Sequence, residues 1–294
     1  MRVGFVLPLG DNAEVDVPKT GPDILAMARD VESAGFDSLW VFDHLLMVEN
    51  GATEPVGSWE AWTLLAALAA VTETSRLGTI VTCTGFRPPA LLAKMAHTVH
   101  EMSGGRLILG VGAGWHQPEY TAFGYPFDHR YSRFAEALTV LTGLLRDGRS
   151  DFAGKFYTTV DCPLLPPATC PPPPVLIGTR GAKMLALTAR HADAYNTAWH
   201  GQPGPRWVND RAAMHAACAD AGRDPTTLTM TVGMFVKSDD AAEDAPGVRC
   251  DAGAIAEAMH AWEGEGVDEL ILYLDPPSRA RAAVVEQALG RYRG

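Results

Sequence analysis

RLGTIVTCTGFRPPALLAKMAHTVHEMSGGRLILGVGAGWHQPE, residues 76–119, sets two apolar runs on either side of one amphipathic helix. Leu77–Val81 and Leu107–Val111 are rich in Leu, Ile and Val, the composition of strands covered on both faces. Between them Leu91, Leu92, Met95, Val99 and Met102 recur at helical spacing, opened by Pro88-Pro89 and closed by Gly104-Gly105. The pattern is a β-α-β unit, whose parallel strands need a right-handed crossover. Ligands of such units gather at the C-terminal strand ends. Here those ends are Thr82-Cys83-Thr84 and Gly112-Ala113-Gly114-Trp115.

The same alternation runs the length of the chain. Strand-like runs fall at Val3–Leu7, Ser38–Phe42, Leu77–Thr82, Leu107–Val111, Val175–Ile177, Asp193–Asn196, Leu228–Val236 and Leu270–Leu274. Helical patterns fill the gaps at Ile24–Ala34, Trp59–Thr72, Leu91–Met102, Tyr131–Arg146, Lys183–Arg190, Asn209–Ala221, Ala254–Gly264 and Arg279–Leu289. Eight such pairs, without internal repeats, predict an α/β fold: a (β/α)8 TIM barrel with insertion loops at its C-terminal mouth. It would form one domain over residues 1–294; a doubly wound Rossmann-like sheet is the runner-up. Three connections are long: Asp43–Ser58, Gly112–His129 and Asp147–Pro174. The first two follow strands and so belong to the mouth. The third carries Phe152-Ala-Gly-Lys-Phe-Tyr-Thr, a hairpin-like stretch expected to fold over the same mouth.

A hydrophobic content of 47% describes a globular chain with ample core. The net charge of −11 offers no basic face for nucleic acid or an anionic membrane. The longest apolar stretch, Ala61–Val71, is too short to span a bilayer. Met1-Arg2 opens no signal sequence, and the five cysteines (Cys83, Cys162, Cys170, Cys218, Cys250) form no C-x-x-C pair. A cytoplasmic protein is expected.

Asp43-His44 directly follows the second strand, where a barrel places groups that exchange protons. A capping Asp beside a structural His fits that position equally well. Gly110-Val-Gly-Ala-Gly departs from G-x-G-x-x-G, so it reads either as close backbone approach to a flat ligand or as a tight turn. Gly178-Thr179-Arg180-Gly181 joins a strand to a helix start and offers amides, a hydroxyl and a guanidinium to a phosphate. No metal site is expected: H-x-H, H-E-x-x-H and cysteine clusters are absent, and His97 and His100 read as surface histidines. No G-x-S-x-G marks a serine hydrolase.

These residues resemble the luciferase-like monooxygenase family of flavin and deazaflavin oxidoreductases. The likeness runs in order through Gly35-Phe36-Asp37-Ser38-Leu39-Trp40-Val41, Asp43-His44 and residues 76–119. It continues through Ala122–Phe127, Arg133–Leu138, Gly154–Tyr157, Pro174–Gly178 and His191–Asn196, about the first 200 residues. The resemblance implies a barrel holding coenzyme F-420 or reduced FMN in its mouth, usually as a homodimer. Asp43 and Thr82 would contact the ring beside Cys83, and Ala113 and Gly114 would pass close to ring and ribityl chain. Gly178, Thr179 and Gly181 would hold the phosphate, with Arg180 as an added contact. A non-proline cis peptide would lie near Ile80–Cys83. Where related sugar-phosphate dehydrogenases carry a glutamate acid/base, this chain has Trp115, which separates it from that activity.

His44 is then the expected proton exchanger, with Glu119 as a carboxylate facing the mouth. Trp40, Trp115, Tyr125 and Trp199 would form an aromatic wall for a small-molecule substrate, with Asn196 beside it. Because residues 82–115 look most like the deazaflavin branch, coenzyme F-420 hydride transfer is the first expectation. The alternative is an FMN-dependent monooxygenase supplied by a separate reductase; a non-catalytic flavin-binding protein is a further one.

Overall fold

Strands that are apolar on both faces need cover on both sides, and this chain supplies it by closing its sheet into a ring. The computed structural model describes residues 1–10, 20–48, 54–238, 241 and 246–294. Among them, the barrel strands are β1 Arg2–Val6, β2 Ser38–Val41, β3 Arg76–Thr79, β4 Leu107–Gly112, β5 Val175–Gly178, β6 Ala194–His200, β7 Thr229–Lys237 and β8 Glu269–Asp275. Every neighbouring pair is parallel, and β8 returns to β1 with Glu269 opposite Arg2. That closing ladder excludes the open Rossmann-like sheet. The fold is a (β/α)8 barrel, as the sequence pattern predicts.

The surrounding helices start where their caps place them. Thr20 accepts from the Asp23 amide ahead of Gly21–Ser33, Asp251 from Gly253 and Ala254 ahead of Ala252–Gly264, and Ser278 from Arg281 ahead of Arg279–Arg293. No described helix is long and apolar enough to cross a membrane.

The barrel interior corrects one expectation. Trp40 is fully buried inside the ring and is not part of the cleft lining. Its Nε1 donates to Ser38 Oγ at 2.7 Å, and Ser38 in turn donates to the buried Glu269 carboxylate, which Arg76 also reaches at 2.5 Å. Gly4 and Gly78 make room for the indole: a Cβ on Gly78 would stand 2.3 Å from the Trp40 ring. In one cluster with the indole lie Val6, Ile80, Ile108, Leu176 and Ile271, and Phe42, Val81, Trp199 and Tyr273 pack against it.

Two surface expectations also change. His97 and His100 are buried, because the proline-rich segment lies over the helix Pro89–Met102. Their Nε2 atoms pair with the carbonyls of Pro166 (3.0 Å) and Pro171 (2.8 Å). The hairpin Arg149–Ala153 with Thr158–Pro163 does form, but it packs along the helix Arg130–Thr142 rather than over the mouth. Its turn amides at Lys155, Phe156 and Tyr157 donate to the Glu136 carboxylate on that helix.

Overpacking a filled core costs about 1–3 kcal/mol. Gly78→Ala should therefore lower stability by about that much in denaturant titration, and by clearly less in a Trp40→Leu background, where the indole no longer occupies the space. Equal losses in the two backgrounds would refute this account of the glycine.

Candidate active site

At the C-terminal strand ends two adjoining cavities open, of about 650 and 380 Å³. They share Ile80, Val81, Trp115, Gly178, Thr179 and Trp199, so they form one cleft. Both volumes lie within the roughly 300–1,000 Å³ typical of cofactor and small-molecule sites.

His44 lines the smaller cavity together with Glu119. Its Nδ1 lies 3.0 and 3.3 Å from the two oxygens of Glu119, a buried carboxylate on the short helix Gln117–Ala122. Glu119 also accepts from the Leu45 amide at 2.9 Å, which ties the loop after β2 to the loop after β4. His116 adds a second tie by accepting from the Val48 amide at 3.0 Å. Burial lowers the His116 pKa, which favours the neutral ring this acceptor role requires. A carboxylate on Nδ1 fixes the tautomer of His44 and leaves Nε2 to exchange a proton.

Asp43 lies behind His44, almost wholly buried. Arg87 grips it through two bonds of 2.7 and 2.9 Å, and the Cys83 amide donates to it at 3.0 Å. Burial pushes the Asp43 carboxyl above its ordinary range against the pull of Arg87. Arg87 also reaches Glu60 at 2.5 Å. Cys83 sits 2.8 Å from the Tyr120 hydroxyl, which donates onward to the Ala113 carbonyl at 3.0 Å. Burial raises the Cys83 thiol to about 12, so it is a protonated lining group and no nucleophile.

The glycines of the fourth strand serve packing. The Ile80–Val81 peptide is cis, where the family resemblance places such a bond, and Val81 projects towards β4 and β5. A Cβ on Gly112 would lie 2.7 Å from Val81, one on Gly110 would strike the Thr79 carbonyl, and one on Gly114 would strike Tyr120. Gly114 also has φ +72°, a conformation that favours glycine.

Beyond Val81 the cleft meets Gly178-Thr179-Arg180-Gly181, where Gly181 is the N-cap of Ala182–His191 and brings no side chain to its first-turn amides. Arg180 and Arg206 both donate to the Ala198 carbonyl, and Arg206 also to that of Trp199 at 2.7 Å. Asp210 lies 3.7 Å from Arg180 and 4.0 Å from Arg206 and accepts from Thr197 at 2.6 Å. Two guanidiniums against one carboxylate, at a helix start, make this the cationic end of the cleft.

The cleft thus brings together Asp43, His44, Cys83, Ala113, Gly114, Trp115, Glu119, Gly178, Thr179, Arg180, Asn196 and Trp199. Four expected residues fall outside its lining. Trp40 is the barrel core; Thr82 is turned into the interior, its buried hydroxyl without a hydrogen-bond partner; Gly181 is a helix cap. Tyr125 packs with Phe86 behind the loop and away from the wall. The sequence pattern does not point to Arg87, His116, Tyr120, Arg206 or Asp210; all but Arg206, whose partners lie within eight positions, act on partners distant in sequence. Among the described residues no group of three or more His, Cys, Asp or Glu is placed to hold a metal ion.

A family model described as luciferase-like monooxygenase matches residues 1–259. The pyrimidine monooxygenase RutA of Stutzerimonas stutzeri is 32% identical over 317 aligned positions, covering 99% of this chain and 85% of its own. Among solved structures, an F420-dependent secondary alcohol dehydrogenase bound to an F420-acetone adduct superposes with a TM-score of 0.82 at 19% identity, covering 100% of this chain and 99% of its own. The monooxygenase RslO1 of Streptomyces bottropensis superposes with a TM-score of 0.77, also at 19% identity, over 100% of both chains. At such identities the two structures speak for the fold alone.

His200, buried beside Thr197, yields a pH prediction. Burial lowers its pKa from 6.5 to about 4, so the unfolded chain binds a proton that the folded one refuses. This contribution is fully present above pH 6.5 and is lost as pH falls through about 4. It amounts to about 3 kcal/mol across that window. Denaturant midpoints should fall accordingly, and His200→Asn should flatten the slope; an unchanged slope in the variant would remove His200 as its source.

Proposed function

The chain belongs to the luciferase-like monooxygenase family, and from that premise we propose a flavin-dependent monooxygenase. In this reading it is a cytoplasmic homodimer that receives reduced FMN from a separate reductase and oxidises a small planar substrate of the pyrimidine type. The observation that carries the reading is the likeness to pyrimidine monooxygenases over nearly the whole chain. The first expectation, coenzyme F-420, rested on residues 82–115 and gives way to FMN. The deazaflavin enzyme is similar only at an identity where the fold alone is informative.

The residues present fit FMN. The cationic end offers Thr179, Arg180 and the first-turn amides of Ala182–His191 to a phosphate. The smaller cavity offers space for a ring between Ile80–Val81, Gly112–Gly114 and Trp199. Bound reduced FMN supplies the electrons and the oxygen-activating chemistry. The chain's own residues do the remaining work. Glu119 orients His44, and His44 Nε2 gives or takes the proton that accompanies oxidation. Trp115, exposed at the rim and 5.7 Å from the His44 ring, gives the substrate a face to stack on. Trp199, packed on Phe235 and Tyr273, closes the opposite side against water.

Parallel fluorescence titrations with FMN and coenzyme F-420 test the cofactor. FMN should bind more tightly, and the reverse order would overturn the assignment. Gly178→Asp places a carboxylate at the phosphate end and should abolish FMN binding; retained affinity would locate the phosphate elsewhere. His44→Ala should cut turnover by roughly 100-fold or more with the FMN dissociation constant unchanged, the usual size of a general acid/base contribution. Unchanged turnover in that variant would end the role given to His44.

A further inference from the structure

A third cavity, of about 180 Å³, adjoins the smaller part of the cleft, and Phe42 and His44 line both. Those two rings are therefore a partition with one face on each side. Across it stand Leu7, Leu9, Met47, Val56 and Pro277. Among the described residues no Asp, Glu, Lys or Arg lines this space; besides His44, its polar side chains there are Ser58 and Tyr273. Phe42 meets Tyr273 edge-on at 5.1 Å, which completes an aromatic and aliphatic lining.

The walls are held by main chain, so the space is built into the fold. Leu7 donates its amide to the Trp40 carbonyl at 2.9 Å, and the Trp59 amide donates to Leu9 at 3.0 Å. Gly10 and Ser58 form an antiparallel bridge. Leu46–Met47 pairs with Val56–Gly57, and Glu119 and His116 hold this small hairpin from the cleft side through the Leu45 and Val48 amides. The same carboxylate that orients His44 thus also fixes one wall of the third cavity.

We propose that this cavity is a specificity subsite that takes a short, uncharged aliphatic arm of the substrate while the reacting ring lies before His44. The inference rests on the functional reading only in placing the reacting ring beside His44. The volume admits roughly six methylene-sized groups, taking about 30 Å³ for each as for a water. The lining favours hydrocarbon over any charged or strongly hydrated group. The preferred substrate is accordingly a heterocycle bearing an alkyl chain, and a bare pyrimidine would leave the subsite unused.

Two probe series test this. Primary alcohols from ethanol to octanol, titrated by calorimetry into cofactor-free protein, should bind roughly 4-fold more tightly per added methylene up to about six carbons, and then level off. Val56→Trp and, separately, Met47→Trp should flatten that dependence while leaving FMN affinity unchanged. With reduced FMN, kcat/KM for 5-alkyluracils should rise over the same chain lengths in the unmodified protein and stay flat in the tryptophan variants. Alcohol affinity independent of length, or a length dependence that survives both substitutions, overturns the subsite. A length dependence in alcohol binding without turnover of any uracil supports the subsite and overturns only the pyrimidine reading.

Discussion

A carboxylate withdrawn from water must keep its partner, and at this mouth that carboxylate is Asp43 and its partner Arg87. Breaking such a buried pair by removing one member typically costs about 3–5 kcal/mol. The pair joins the loop after β2 to the loop after β3, and Arg87 extends the link to Glu60 at the head of the helix Ala61–Val71. Asp43 also receives the Cys83 amide, which fixes the chain just past the cis Ile80–Val81 peptide. His44 is the next residue along. Its position in the cleft therefore follows from a pairing in which it takes no part.

From that anchor the remaining geometry is a matter of exclusion. Val81 leans against β4 and β5, and the glycines at 112 and 178 give it room. Trp40 fills the ring together with Val6, Ile80, Ile108, Leu176 and Ile271, and Phe42, Val81, Trp199 and Tyr273 pack against this cluster. Glu119 then ties the loop after β4 back to His44 and Leu45. Three loops from three strands are bound to one another before any ligand arrives. This is the preorganisation a proton-exchanging group requires.

The fold was legible because it rests on local periodicity. Each of the eight predicted strand–helix pairs is present, with limits shifted by a few residues. The loop at Gly178–Gly181 was legible for the same reason, since strand, glycine and helix start are contiguous. What the sequence hid is long-range. Arg87 lies 44 positions from Asp43, and no spacing rule links an arginine before Pro88-Pro89 to an aspartate after β2. Trp40 belongs to an apolar run that reads the same whether its side chain points into the ring or up to the mouth. Two small residues on neighbouring strands, Gly4 and Gly78, decide it. His97 and His100 follow the polar face of their helix correctly, but a single helix cannot reveal that a distant proline-rich segment covers that face.

Charge gives the cleft its direction. The chain carries a net −11, yet Arg180 and Arg206 meet at one end of the cleft with only Asp210 between them. An anionic group approaching an otherwise acidic molecule finds its favourable potential there, at the start of Ala182–His191. The other end, past His44, is closed by hydrocarbon and aromatic side chains that repel ions by refusing to solvate them. Between the two, Val81 and Trp115 line the space that joins the ends. The gradient favours one sense for a molecule with a phosphate at one extremity and a flat ring at the other, the phosphate towards Arg180 and the ring towards His44. The histidine thus has the cleft on one side and an apolar space on the other, with the Glu119 carboxylate against its Nδ1.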